Sequence, residues 1–143
     1  MTNIDQFDDS ALIAALEAHA HLAAKALDCS VYTVMLLNSD STKVRRTFTS
    51  VPDTFPTSDE KPAERNSWFI QVIEGQEIFA ANSPEEMGAQ FKDLDKMLAL
   101  GCPAVINIPV VKDEKTVAVF NLLNSGGHFT PERIEQAKSF ISL

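Results

Sequence analysis

The stretch 104–124, AVINIPVVKDEKTVAVFNLLN, decides the fold. A charged turn, Lys112 to Lys115, divides it into two apolar runs. Val105, Ile106, Ile108, Val110 and Val111 precede the turn; Val117, Ala118, Val119, Phe120, Leu122 and Leu123 follow it. Runs this short, rich in β-branched residues and bounded by charge, predict strands rather than helix. Apolar residues occupy odd and even positions alike, so both faces of the hairpin need cover and it belongs inside a sheet. Asn107 and Asn121 interrupt the runs. They mark one covered face as a candidate binding cavity rather than core alone.

Outward from the hairpin, punctuation residues delimit the remaining elements. Ser83-Pro84-Glu85-Glu86 joins a cap, a first-turn proline and two acids, and predicts a helix reaching about Leu100 with Met87, Phe91, Leu94, Leu98 and Met97 as its apolar side. Gly101 is its stop. After the hairpin, Ser125-Gly126-Gly127-His128 is a turn, and Thr130-Pro131-Glu132 starts a last helix with Ile134, Ala137, Phe140 and Ile141 in its stripe. Upstream, 66–74 reads as a short helix stopped at Gly75, followed by a brief strand at 77–80. Asp9 to Leu27 predicts a first helix, with Leu12, Leu16, Ala20, Ala23 and Leu27 at helical spacing and Ile13, Ala20 and Ala24 beside them. So wide a stripe suits sheet packing alone, or a sheet on one edge and a partner helix on the other. Strands are expected at 31–38 and 43–50. This order gives an α+β fold, a central antiparallel sheet with helices on its faces. Residues 1–143 are expected to form one domain, with 1–8 a flexible N-terminus.

In the second strand, simple alternation puts Val44, Arg46 and Phe48 on one face and Arg45, Thr47 and Thr49 on the other. An arginine sharing a face with apolar residues has two readings: a side chain snorkelling at a sheet edge, or an anion clamp over a pocket. The loop 51–64 carries three prolines, Pro52, Pro56 and Pro62, and a central Phe55 that needs burial. Long loops of this kind are more often functional than plain connections, and this one is read as a lid.

With 45% hydrophobic residues, 143 residues can build a core. A net charge of −8 and the lack of a basic patch argue against nucleic acid and anionic membrane surfaces as partners. No apolar run approaches the about 20 residues that span a bilayer. Two cysteines, Cys29 and Cys102, fit free thiols in the cytoplasm.

The layout resembles a GAF domain, of a bacterial stand-alone sensor subgroup, over Ala11 to Ile141. The resemblance rests on the helix stop at Gly101, the strand with Pro109-Val110 and the return strand ending Asn121-Leu122-Leu123. The segment Arg46 to Pro62 is similar to a loop of the form Arg-x-Tyr-Thr-Ser, then prolines, then Lys-Pro. Here Phe48 and Phe55 stand where tyrosine is usual, and Ser58-Asp59-Glu60 replaces a glycine-bearing turn. The resemblance implies a GAF/PAS-like sheet with a ligand pocket on one face, often dimeric through its terminal helices.

Enzyme chemistry finds little footing. Cys102 follows a helix C-terminus, whose negative end disfavours a thiolate, so a buried structural cysteine is the favoured reading. The GAF-type free methionine sulfoxide reductases use several cysteines in glycine-rich contexts that neither cysteine matches. Cys102 precedes Pro103, not the histidine of bilin-attaching GAF domains, and the Asn-Lys-Phe-Asp-Glu signature of cyclic-nucleotide GAF domains is absent. His19, His21 and His128 are scattered and build no metal site from sequence neighbours. The sequence therefore predicts no catalytic residue, no metal and no named cofactor. The candidate ligand-binding residues are Arg46, with Arg45 as the alternative clamp, Ser50, Lys61, Trp68, Asn107 and Asn121, polar or amphipathic groups at sheet and loop boundaries, together with Phe48 and Phe55 at the loop positions the resemblance implies. The expectation is a cytoplasmic sensor module that forms a homodimer through its terminal helices. A ligand-free interaction or dimerisation module is the alternative, and a cysteine-dependent redox enzyme the least favoured.

Overall fold

The computed structural model describes residues 4–88 and 91–143. Its frame is a six-stranded antiparallel sheet. The strands are β1 (Val31–Leu37), β2 (Lys43–Thr49), β3 (Lys61–Pro62), β4 (Phe79–Ala81), β5 (Ala104–Lys112) and β6 (Lys115–Asn124), in the order β3-β2-β1-β6-β5-β4. The quoted stretch forms the inner pair β5–β6. Its alternate residues face opposite ways, and nearly all are buried, because both faces are covered.

One face carries α1 (Ser10–Ala26) and α5 (Pro131–Ala137). Leu12, Leu16, Ala20 and Ala23 of α1 pack there with Ile106, Ile108, Phe120 and Leu122. Asp9 caps α1, accepting from the Leu12 N–H, and Thr130 caps α5 through Arg133. The 3-10 turn Lys138–Phe140 that follows α5 meets α1 where a ring nitrogen of His19 lies 2.9 Å from the Phe140 carbonyl. Ahead of α1, Gln6–Asp8 form a 3-10 turn with Phe7 buried, so this part of the expected flexible N-terminus is docked on the domain.

The other face is covered by the 51–64 loop and by α2 (Ser67–Phe69), which widens into a π-helical turn at Ile70–Glu74. Two further short helices, α3 (Pro84–Met87) and α4 (Leu94–Ala99), complete the cover. The long helix expected from Ser83 to Leu100 is thus two helices. Gly88 adopts φ +81° directly after α3, a left-handed conformation that ends a right-handed helix; residues 89–90 of the expected helix lie outside the described residues. At the far end of α4, Gly101 at φ +72° closes a Schellman motif: its N–H donates to Leu98 and the Cys102 N–H donates to Met97.

Strand β2 departs from simple alternation. Val34 pairs with Phe48 but Met35 pairs with Arg46, so Thr47 is an extra residue in β2. Such a bulge re-aims the side chains beyond it. Val44 and Arg46 keep the loop-covered face. Phe48 turns to α1, where its ring lies 4.9 Å from that of His21 and 5.4 Å from that of Tyr32. The expectation that Arg46 and Phe48 share a face is corrected by this one inserted residue.

A candidate small-molecule cavity

The deepest polar feature is a ladder across three strands. Asn107 of β5, Asn121 of β6 and Thr33 of β1 are lateral neighbours in the sheet. Trp68 of α2 donates its indole N–H to Asn107 Oδ1 at 2.9 Å. Asn107 Nδ2 donates to Asn121 Oδ1 at 2.6 Å, and Asn121 Nδ2 donates to Thr33 Oγ1 at 3.3 Å. Every bond runs the same way. Thr33 Oγ1 ends the chain as an acceptor and keeps its own hydroxyl proton to donate. Asn107 and Thr33 are buried, so the ladder satisfies amides that would otherwise be costly in an apolar surface.

Above the ladder lies a cavity of about 190 Å3. Its apolar lining comes from Met35, Met97, Val105 and Leu123, and its aromatic lining from Phe55, Trp68 and Phe91. Arg46 and Asp93 supply its charges. A second chamber of about 270 Å3 shares Trp68, Phe91 and Asp93 with the first and adds Glu64, Asn66 and Lys92. The three shared residues form the neck between an inner cavity and an outer vestibule. Glu64 and Lys92 pair at 3.4 Å across that vestibule.

Arg46 reaches the cavity because its backbone is stitched to the proline-rich loop. Its N–H donates to Ser58 Oγ and its carbonyl accepts from the Ser58 N–H. Its guanidinium lies 5.3 Å from the centre of the Phe55 ring and donates through Nη1 to the Pro56 carbonyl. Burial pulls its pKa below the usual guanidinium range, and the Asp93 carboxylate opposes that shift. Lys96 of α4 lies 5.8 Å from the same phenyl ring. Phe55 is itself buried, which fits a loop folded over the cavity.

Of the eight residues singled out in the sequence, Arg46, Phe55, Trp68, Asn107 and Asn121 converge on this cavity. Phe48 lies on the opposite face of the sheet for the reason given above. Ser50 lies outside the cavity lining; it donates to the Ser30 carbonyl and accepts from the Tyr32 N–H. Lys61 is exposed on β3. Arg45, the alternative clamp, donates to the Phe7 carbonyl, with its guanidinium 5.2 Å from the centre of that phenyl ring. Sequence reasoning did not single out Thr33, Met35, Asp93, Val105 or Leu123 as lining. Cys29 and Cys102 are both free and buried, and burial raises both thiol pKa values. Among the described residues no group of three or more His, Cys, Asp or Glu side chains is placed to hold a metal. No helix there is long and apolar enough to cross a membrane.

Comparison with solved structures gives the fold independently. A domain of a putative two-component sensor histidine kinase protein from Sinorhizobium meliloti superposes with a TM-score of 0.66 at 14% identity, covering 93% of this chain and 88% of that one. The GAF domain/HD domain protein from Geobacter sulfurreducens superposes at 0.67 with 9% identity, covering 90% and 86%. The cyanobacteriochrome TePixJ GAF domain gives 0.63 at 14% identity, covering 99% and 91%. No curated protein matches the sequence at a significant level. The family model described as GAF domain matches residues 11–143, and the chain belongs to the GAF domain family.

Proposed function

We propose that this GAF domain is a cytoplasmic small-molecule sensor without catalytic activity of its own, taking its ligand in the Arg46–Trp68–Asn121 cavity and working as a homodimer. GAF domains are in general signalling and sensory modules. The observation that carries the reading is Arg46. Among the described residues its guanidinium has no ion-pair partner, yet it lines an apolar-walled cavity floored by oriented amides. A half-buried guanidinium whose one direct partner is the Pro56 carbonyl, with the Asp93 carboxylate beyond ion-pair distance, is costly to desolvate, and a ligand offering hydrogen-bond acceptors offsets that cost. The cavity combines apolar walls with a few convergent polar groups, as small-molecule sites do.

Native mass spectrometry of the purified protein, followed by a thermal-shift screen of a metabolite library, tests this. A ligand at a hundred times its Kd should stabilise the fold by about 2.7 kcal/mol. Arg46→Met should abolish the shift while its circular dichroism stays native. A library that leaves the melting temperature unmoved, with no mass retained, overturns the sensing reading in favour of a ligand-free interaction module.

A further inference from the structure

The charges around the cavity come in opposite pairs. Arg46 and Asp93 line the inner chamber; Lys92 and Glu64 line the vestibule. The lining is neutral in sum but strongly dipolar. A phosphate or a dicarboxylate drawn to Arg46 would also face Asp93, and like charge in a site walled by apolar groups is costly.

Asp93 carries a second peculiarity. It is the residue preceding α4, where an aspartate ordinarily accepts from the first-turn N–H groups. Asp5, Asp9, Asn66, Ser83 and Thr130 all do so in this protein. Asp93 does not cap, and among the described residues it has no ion-pair partner. Asp93 lines the cavity from an exposed position, opposite in sign to Arg46.

We propose that the cavity takes a zwitterion, a free α-amino acid with a medium-sized apolar side chain. The inference rests on the sensing reading above and names its ligand class. The carboxylate would be met by Arg46, assisted by the Thr33 hydroxyl. These two groups lie close on one face, since Arg46 pairs with Met35, two residues along β1 from Thr33. The ammonium would be met by Asp93, with the Trp68 and Phe91 rings at the same neck offering cation–π contact. The side chain would fill the space bounded by Met97, Val105 and Leu123. An inner volume of about 190 Å3 lies below the usual range of small-molecule pockets, which suits leucine or valine better than a tryptophan.

The test is calorimetric titration of the full chain with the twenty common amino acids. For the best binder it is repeated with its amide, which lacks the anion, and its des-amino acid, which lacks the cation. For leucine these are leucinamide and 4-methylpentanoate. The zwitterion should bind at least about tenfold more tightly than either analogue. Asp93→Asn should weaken the amino acid about tenfold and leave the des-amino acid unchanged or tighter. Asp93 is exposed, so the variant should fold, and Arg46→Lys supplies a second, charge-conserving probe of the carboxylate end. Equal binding of the des-amino acid, or indifference of the amino acid to Asp93→Asn, overturns the zwitterion and leaves an anion sensor standing. Failure of all twenty overturns the ligand class, while the metabolite screen decides separately whether the cavity senses anything.

Discussion

At the scale of single residues, the ladder is where polarity enters the core, and Trp68 is its first donor. Trp68→Phe keeps an aromatic ring against the sheet but removes the N–H that Asn107 Oδ1 accepts at 2.9 Å. Asn107 is only 2% exposed, so water cannot readily replace the donor. An unsatisfied buried acceptor costs about 1–3 kcal/mol. The expected result is a lowered urea midpoint at unchanged m-value. A midpoint equal to wild type would mean that the indole N–H contributes nothing to holding Asn107. The same residues were partly legible from sequence. Asn107 and Asn121 stand out because amides break apolar runs, whereas Thr33 and Met35 are ordinary strand residues whose place at the cavity comes only from strand pairing.

Between residues and the whole lie the elements, and two glycines separate two ways of ending a helix. Gly101 needs its left-handed φ of +72°, but a Cβ there would meet nothing within 4 Å. Gly75 has an ordinary φ of −81°, yet its Cβ would lie 2.7 Å from the Gln71 carbonyl oxygen. The crowding fits the π-helical turn, whose last bond runs from the Gly75 N–H to the Ile70 carbonyl. Gly101→Ala should therefore cost about 1 kcal/mol from backbone conformation alone. Gly75→Ala should cost more, because backbone must move. Chemical denaturation of both variants checks the order, and a reversed order would refute the steric account. Both stops were readable, since each glycine follows a periodic apolar pattern. The break at Gly88 was not. Met87, Phe91, Leu94 and Leu98 keep helical spacing across it, and a lone glycine is tolerated inside a helix. Nor was the bulge at Thr47, because one inserted residue leaves composition untouched while reversing which side chains share a face. That slip alone sends Phe48 to α1 while Arg46 stays at the cavity.

Across the whole molecule, the sheet separates two surfaces: the cavity lies on one side, α1 and α5 on the other. A signal from the cavity to a partner copy would therefore have to pass through the strands themselves, and β1 and β6 carry residues of both surfaces. Thr33 and Asn121 face the ladder while Val34, Phe120 and Leu122 pack under α1. The outer face of α1 bears the proposed dimer contact. Ala11, Ala15, Ala18 and Leu22 are all exposed, Leu22 by 60%, at spacings of four, three and four, which is the rhythm of a helix-to-helix seam. Small residues would let two such helices approach closely, and the inner stripe of Leu12, Leu16 and Ala20 stays committed to the sheet. Ala18→Glu places a charge in the middle of that seam. In a dimer the two copies would bring like charges together, while in a monomer the side chain would meet only water. The expected outcome in sedimentation velocity is a dimer for the native chain and a monomer for Ala18→Glu, with native circular dichroism in both. Leu22→Lys should do the same through loss of the one large apolar side chain on the seam. A native chain that sediments as a monomer, or variants that remain dimeric, would remove α1 as the contact and with it the route across the sheet.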